Sequence, residues 1–171
     1  MRIIITAFII FCSLLSDAQG HYEQRIKELG ITLHEPSKPQ ASFVRVVKSG
    51  NLLFLAGHGP TKSDGSSITG KLGTDLNLDQ GIEATKTAAI NILSVLKYEL
   101  NDLDRIKRII KLTGWVNCDQ NFTKQHLVMN GCSDLLVSIF GDQGKHARSS
   151  IGTNSLPNNI AVEIEMVIEI E

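Results

Sequence analysis

The chain has 171 residues, of which 42% are hydrophobic and 20% are charged, a composition typical of one folded domain with a buried core. This excludes a collagenous or disordered protein. Seventeen basic and eighteen acidic residues leave a net charge of −1, so no overall field attracts a polyanion. No nucleic-acid partner is therefore expected, and such a role would need a local basic patch.

The first twenty residues differ in composition from the rest. Arg2 is followed by a nearly unbroken apolar run over 3–15, and Ser16 and Ala18 then supply small side chains. This layout is typical of a secretory signal peptide, and the run is shorter than the ~20 residues that span a bilayer. We predict a signal peptide over 1–18 and a secreted or periplasmic protein with no membrane attachment after cleavage. The alternatives are an uncleaved anchor and, if the leader does not function, a cytoplasmic protein.

Residues 19–40 are predicted to form an N-terminal helix and a linker. The stretch "HYEQRIKELG" is amphipathic and ends in Gly30, and "EPSKPQ" carries two prolines that favour an extended chain. The folded domain is predicted over 41–171.

Two β-rich runs begin this domain, on either side of the turn-prone Ser49-Gly50-Asn51, and they predict a hairpin. After a Gly-, Ser- and Thr-rich loop, apolar residues at helical spacing over 78–101 predict one long helix. A third strand is predicted over 105–117 from side-chain alternation, to which Arg108 and Ile109 are exceptions. The apolar stripe of the helix predicted over 78–101 consists of Ile82, Ala89, Leu93, Leu96 and Leu100.

A second helix is predicted to end at Gly141, and two further strands follow it. The stripe of this helix is Val128, Cys132, Leu135 and Ile139. The apolar face of the last strand is Val162, Ile164, Met166, Ile168 and Ile170. The order β-β-α-β-α-β-β predicts an α+β domain, with one mixed sheet and both helices on one face. The other face would expose Ile109, Trp115 and Val167, so we expect sibling subunits to cover it.

Cys118 and Cys132 are the two cysteines that would remain after cleavage of the leader. Two cysteines do not make a disulfide framework, and burial as small hydrophobic side chains is favoured over a bridge. The five histidines are dispersed without metal-ligand spacing, so no metal and no cofactor is predicted. Asn121 begins a glycosylation sequon, which matters only in a eukaryotic host.

Arg148 is a candidate binding residue because its neighbours Ala147, Ser149 and Ser150 are small and leave space around a guanidinium. A guanidinium can hold a carboxylate through two parallel hydrogen bonds. The alternative is a structural ion pair with one of the C-terminal glutamates, and the residues alone favour that alternative.

Glu163 is the second candidate, as the first carboxylate of a final strand that we predict to be the antiparallel neighbour of the strand holding Arg148. A partly desolvated carboxylate at this position could orient or deprotonate a water molecule. The alternative is a solvated strand face. Among the histidines only His58, at the end of an apolar strand, is singled out.

These residues resemble the YjgF/RidA family of reactive-intermediate imine deaminases, also called endoribonuclease L-PSP proteins. The resemblance runs over 43–171. Within the family, the chain is most similar to a longer branch that carries an N-terminal helix. It is carried by Ala147-Arg148-Ser149, Leu156-Pro157, Val162-Glu163-Ile164-Glu165, Asn130 and the stretches "SGNLLFLAGHGP", "RIKELG" and "VMNGCSDLL".

The resemblance implies a chorismate-mutase-like fold, a homotrimer with ligand sites between subunits, and hydrolysis of enamine or imine intermediates such as 2-aminoacrylate. The expected products are a 2-keto acid and ammonia, as for a 2-iminobutanoate/2-iminopropanoate deaminase. Arg148 would clamp the substrate carboxylate and Glu163 would position a water. Asn130 and Ser150 would complete the site.

The chain departs from the family pattern at several positions. Phe43 replaces a tyrosine, Ala56 and His58 replace a serine and a glutamine, and Ser150 replaces a cysteine. Phe43 keeps the ring without its hydroxyl, and His58 is a candidate to supply a missing donor. A non-catalytic module that binds small carboxylates is therefore the alternative function, with ribonuclease activity as a third and less favoured one.

Overall fold

The structure is a computed structural model that describes residues 20–38 and 41–171. The predicted signal peptide at 1–18 lies outside these ranges, so the leader and the localisation that it implies stay predictions. Within the two described ranges, no helix combines the length and the hydropathy needed to cross a membrane.

The order of strands and helices predicted for the domain is confirmed, and one helix precedes it. The elements are α1 (His21–Glu28), β1 (Val46–Ser49), β2 (Leu52–His58), α2 (Leu78–Leu100), β3 (Ile106–Asn117), α3 (Gln125–Val128), α4 (Asn130–Phe140), β4 (Ala147–Thr153) and β5 (Val162–Ile170). The predicted second helix is divided into α3 and α4, and its four stripe residues are all buried.

The ends of α2 and α4 follow from local sequence. Asn77 begins α2 with a capping box, in which its side chain accepts from the Gln80 amide and the Gln80 side chain accepts from the Asn77 amide, both at 2.9 Å. Asn101 ends α2 in the left-handed region, with φ of 60°. Gly141 ends α4 with φ of 59°, as the glycine at that position predicts.

The five strands form one mixed sheet in the order β1-β2-β5-β3-β4. Only β3 and β4 are parallel, and the other neighbours are antiparallel. The prediction that β4 and β5 are antiparallel neighbours is wrong, because β3 lies between them. The helical connection formed by α3 and α4 is long enough for a parallel crossover that places β4 at the sheet edge, and β5 then pairs between β2 and β3.

One face of the sheet packs on the helices and holds the core. The apolar face predicted for the last strand is confirmed, since its five residues are all at most 1% exposed. Cys118 and Cys132 are free and buried, as expected. The apolar residues that alternate along β5 therefore all lie on the helix-packed face, as the sequence predicts.

Two irregularities in β3 change which side chains face the core. The register of β3 against β5 shifts between Ile106 and Arg108 and again between Ile109 and Lys111. Ile109 is consequently fully buried on the helix-packed face, and Ile110 is exposed. The expectation that Ile109 lies on the outward face is therefore wrong, whereas Trp115 and Val167 are half-buried on that face.

The sheet face opposite the helices, which we call the open face, keeps apolar side chains in contact with solvent. Val47 pairs with Phe54, and Phe54 pairs with Val167. Val47 is 53% exposed and Phe54 44% exposed, and Ile151 on the same face is 42% exposed. A row of this kind on an isolated chain is typical of an interaction surface.

α1 is anchored to the domain by charges at its start. Glu23 is buried and accepts from the Lys97 ammonium at 2.7 Å and from the Leu103 amide at 3.0 Å. Asp104 accepts from the first two backbone amides of α1, and Ile26 inserts into the core. The N-terminal helix is thus a packed part of the fold.

We expect Gly131→Ala to destabilise the protein by ~2 kcal/mol, because a Cβ at this α4 position would collide with the Ile82 carbonyl oxygen of α2. The better helix propensity of alanine, about 1 kcal/mol, offsets only part of this cost. Urea denaturation measures the difference. Asp134→Ala, an exposed change on the same helix, is the control, and a Gly131→Ala variant as stable as the control would contradict close packing here.

Candidate functional site

Arg148 lies on the edge strand β4 and turns toward the helices. Its register partner on β3 is Leu112, a core residue of the helix-packed face. The guanidinium donates to Asn130 Oδ1 and Ser133 Oγ, both at 3.0 Å, and to the His126 carbonyl oxygen at 3.2 Å. Three neutral acceptors from α3 and α4 therefore hold the guanidinium in one orientation.

Arg148 has no carboxylate partner among the described residues. The ion pairs found there join Arg25 with Glu28, Lys97 with Glu23, and Lys145 with Asp142. The alternative of an ion pair with a C-terminal glutamate is therefore wrong. The Arg148 side chain is exposed. Its guanidinium is held in one orientation, and no carboxylate among the described residues neutralises its charge, which suits the bidentate binding of a carboxylate.

A hydrogen-bonded chain behind Arg148 supports it. His146 Nδ1 lies 2.6 Å from the Gly144 carbonyl oxygen and so carries the proton, which leaves Nε2 to accept from the Ser133 hydroxyl at 3.1 Å. The Ser133 oxygen in turn accepts from Arg148. Burial lowers the pKa of His146 against the opposing effect of the Gly144 hydrogen bond, and the charge of Arg148 lowers it further. His146 is therefore neutral at pH 7.

Sequence reasoning missed Ser133 and His146. The signal available for Ser133 was its spacing of three residues from Asn130, which places both on one face of α4. The predicted Ser150 lies two residues beyond Arg148 on β4 and so projects from the same side of the strand. Arg148, Asn130 and Ser150 thus lie together at the β4 edge, and we call this group, with Ser133, the arginine half-site.

Glu163 lies on the open face, away from Arg148. Its register partner on β3 is Trp115, three residues beyond the partner of Arg148, so the two side chains project from opposite faces of the sheet. β5 pairs with β2 along its other edge, and there Gly57 of β2 leaves space for the Glu163 carboxylate. A Cβ at Gly57 would overlap that carboxylate. We call Glu163 and Gly57 the glutamate half-site.

The environment of Glu163 favours its protonated form. Half-burial raises the pKa of the Glu163 carboxyl, and repulsion from Glu165 raises it further. A carboxylate whose pKa is raised is a stronger base than an exposed one, which suits it to accept a proton and to return it.

Phe43 and His58 belong to neither the arginine half-site nor the glutamate half-site. Both line a cleft of about 550 Å³ between β2, α2 and the linker over 34–37. His58 is buried, and its register partner is the core residue Ile164, so its side chain lies on the helix side of β2. The six predicted site residues are therefore divided among two half-sites and this cleft, and one chain alone does not bring Arg148 and Glu163 to one ligand.

We expect Glu163→Gln to stabilise the folded chain at pH 7 by roughly a few tenths of a kcal/mol, the small size reflecting the partial exposure of the carboxyl. A raised folded-state pKa gives stability that is full below the ordinary pKa and is lost as the pH rises through the folded value. The gain should therefore vanish near pH 4, as measured by urea denaturation. Glu171→Gln is the exposed control, and a larger gain at pH 4 than at pH 7 would contradict the assignment.

Comparison with known proteins agrees with this fold. The family model described as "YjgF/chorismate_mutase-like, putative endoribonuclease" matches residues 23–170. Among curated relatives, Protein TCP17 of Trypanosoma cruzi is 38% identical over 154 residues, which cover 90% of this chain and 96% of the relative. The RutC family protein PH0854 of Pyrococcus horikoshii is 28% identical over 146 residues, which cover 83% and 97% of the two chains.

Solved structures agree as well. Atu1372 of Agrobacterium tumefaciens, whose function is unknown, shares 42% identity with a TM-score of 0.81, over 88% of this chain and 94% of that chain. A protein of Shewanella oneidensis that is described as "a putative endoribonuclease" shares 28% identity with a TM-score of 0.84, over 88% and 100% of the two chains. The chain therefore belongs to the YjgF/Rid family.

Proposed function

We propose that this protein hydrolyses reactive enamine and imine intermediates, such as 2-aminoacrylate, to 2-keto acids and ammonia. The observation that carries the proposal is the Arg148 guanidinium, which is exposed, held by three neutral acceptors and without a carboxylate partner among the described residues. A 2-imino acid supplies the missing carboxylate and places its imine carbon next to that group.

We further propose that the complete site forms between two chains of a homotrimer. The arginine half-site and the glutamate half-site lie on opposite faces of one sheet, so a ligand that meets both needs the second chain. The exposed apolar side chains of the open face, Val47 and Phe54 among them, support association through that face. A heterologous contact of this kind closes into a ring if the rotation permits.

The proposed reaction adds one water and releases one ammonia. Arg148 holds the substrate carboxylate by two hydrogen bonds, and Asn130 and Ser150 orient the rest of the molecule. An enamine first takes a proton from solvent on its terminal carbon and becomes the iminium form of the substrate. Glu163 of the neighbouring chain then accepts a proton from a water as the water oxygen bonds to the iminium carbon and the C=N double bond becomes a C–N single bond. Glu163 returns its proton to the nitrogen, the hydroxyl group releases its proton to solvent as the C–N bond breaks, and a 2-keto acid and ammonia remain.

The raised pKa of Glu163 suits both proton transfers. A carboxylate with an ordinary pKa would accept a proton from water less readily, whereas desolvation favours the protonated form that must exist between the two steps. The intermediates are reactive by themselves, so positioning and one proton shuttle are sufficient for a useful rate. Phe43, exposed and apolar, has no proton to offer and would contribute only contact area.

We expect Arg148→Ala and Glu163→Gln each to reduce deamination of 2-iminobutyrate generated in situ by roughly 100-fold or more. The two variants should complement each other when they are co-expressed in equal amounts, because the half-sites come from different chains. Random assembly would give native arginine and native glutamate at about a quarter of the sites, and activity should return to that level.

Release of 2-ketobutyrate is the measurement, with the subunit mass in solution measured on the same samples. Arg148→Lys is the matched control for charge, and it should recover only part of the activity because an ammonium cannot form the two parallel hydrogen bonds. Mixtures as inactive as their components would overturn the two-chain site. Binding of 2-ketobutyrate by a wild type that does not accelerate deamination would establish the non-catalytic alternative.

A further inference from the structure

The hydrogen bonds of Arg148 leave one particular edge of its guanidinium open. A guanidinium has N–H groups on three nitrogens, two on Nη1, two on Nη2 and one on Nε. Nη1 donates to Asn130 Oδ1 and to Ser133 Oγ, both at 3.0 Å, so each of its N–H groups has an acceptor. Nη2 donates to the His126 carbonyl oxygen at 3.2 Å. Among the described residues Nε has no acceptor, so the Nε–H and one N–H of Nη2 remain for a ligand.

This open edge decides how a carboxylate can bind. Two parallel hydrogen bonds need two neighbouring nitrogens that both have a free N–H. The edge between Nη1 and Nη2 does not qualify, because both N–H groups of Nη1 are taken. A carboxylate therefore meets Arg148 side-on, at Nε and Nη2, and this geometry lasts only as long as Nη1 stays occupied.

Ser133 occupies Nη1 only while its hydroxyl oxygen, and not its proton, faces the guanidinium. A hydroxyl rotates freely unless an acceptor takes its proton. His146 Nε2, 3.1 Å from Ser133 Oγ, is that acceptor, because Nδ1 carries its proton toward the Gly144 carbonyl oxygen at 2.6 Å. Burial lowers the pKa of His146, which keeps Nε2 free of a proton at pH 7.

The Gly144 carbonyl that sets this tautomer is fixed by backbone packing. Gly144 ends the single helical turn Gly141–Gly144 and is buried. A Cβ at Gly144 would collide with the Leu136 carbonyl oxygen of α4, so the turn lies directly on the helix that carries Ser133. The proton positions of His146 and Ser133 are therefore set by the fold before a ligand binds.

We propose that His146 is a positioning residue of the arginine half-site. Through Ser133 it keeps Nη1 of Arg148 occupied and leaves the Nε–Nη2 edge to the carboxylate of the substrate. Without an acceptor at His146 the Ser133 hydroxyl is free to turn its proton toward the guanidinium, which then loses a defined orientation. The identity of the ligand, a small 2-imino or 2-keto carboxylate, rests on the proposed function, but the role of His146 does not require turnover.

The edge that binds the carboxylate is tested by NMR on protein labelled with ¹⁵N-arginine, with 2-ketobutyrate as the probe. We expect the Nε–H signal of Arg148, assigned by its loss in Arg148→Lys, to shift on binding. Calorimetric binding of 2-ketobutyrate that leaves this signal in place, or no binding at all, would overturn the proposal. Binding with the expected shift but without accelerated deamination would contradict the proposed function and leave the role of His146 standing.

The role of His146 is tested by removing and restoring its acceptor. His146→Phe keeps a ring without the acceptor and should raise the Kd of 2-ketobutyrate about three- to tenfold, as expected for one lost hydrogen bond. It should raise KM for 2-iminobutyrate alike and leave kcat nearly unchanged, because the carboxylate contact is the same in the ground and transition states. His146→Gln restores a side-chain acceptor and should recover most of the affinity.

A double variant separates a role through Ser133 from a general structural effect. Ser133→Ala should weaken binding as His146→Phe does, and the two changes together should weaken it no more than Ser133→Ala alone. Ser138→Ala is the matched control, because its hydroxyl lies on the same helix and donates to the Leu135 carbonyl oxygen instead. Its Kd should equal that of the wild type.

Three results would contradict the positioning role of His146. They are additive losses in the double variant, a wild-type Kd in His146→Phe, and a His146→Gln variant that binds as weakly as His146→Phe although urea denaturation shows wild-type stability. If His146→Phe does not fold, Ser133→Ala with and without His146→Gln tests the same step, and a further loss from His146→Gln in the Ser133→Ala background would overturn it.

Discussion

The alternation of side chains across the sheet is the constraint on which the site depends. β3 pairs with β4 on one side and β5 on the other, so the positions of Arg148 and Glu163 are both set against this one strand. Their register partners on β3 are three residues apart, an odd number, and the two side chains therefore project from opposite faces. A rotamer change cannot move a side chain to the other face of the sheet. A register slip by one residue could, but it would also expose the core face of β5. The fold thus places the two half-sites on opposite faces of the sheet, and the site that we propose needs a second chain to join them.

The placement of the guanidinium depends on how closely α4 packs. Gly114 of β3 leaves space for the Met129 side chain at the α3–α4 junction, and Gly131 lets α4 approach the backbone of α2. These two close contacts fix the start of α4, where Asn130 and Ser133 hold Arg148. A binding group supported by packed helix is oriented before any ligand arrives, which lowers the entropy lost on binding.

Sequence patterns predicted the helices, the hairpin and the apolar face of β5, because periodicity and capping are local properties. They did not predict the bulges that bury Ile109 and expose Ile110, since either residue fits a strand core and the register is decided by the partner strand. The place of β4 at the edge was missed for the same reason: pairing is a long-range choice. Arg148 was singled out by its small neighbours and assigned a carboxylate through the family resemblance, which also gave Asn130 and Ser150, whereas the support from Ser133 and His146 depends on a three-dimensional contact.

The N-terminal segment links α1 to the cleft between β2, α2 and residues 34–37. Glu23 and Asp104 fix α1 on the core, and the chain that leaves α1 then crosses α2 at Ser94 and walls this cleft. Behind that wall His58 and Asn91 each keep a buried acceptor that has no partner among the described residues, a cost of about 1–3 kcal/mol for each group if no water reaches it. Proteins are only marginally stable, so a cost of this size in one cleft is a large fraction of the total.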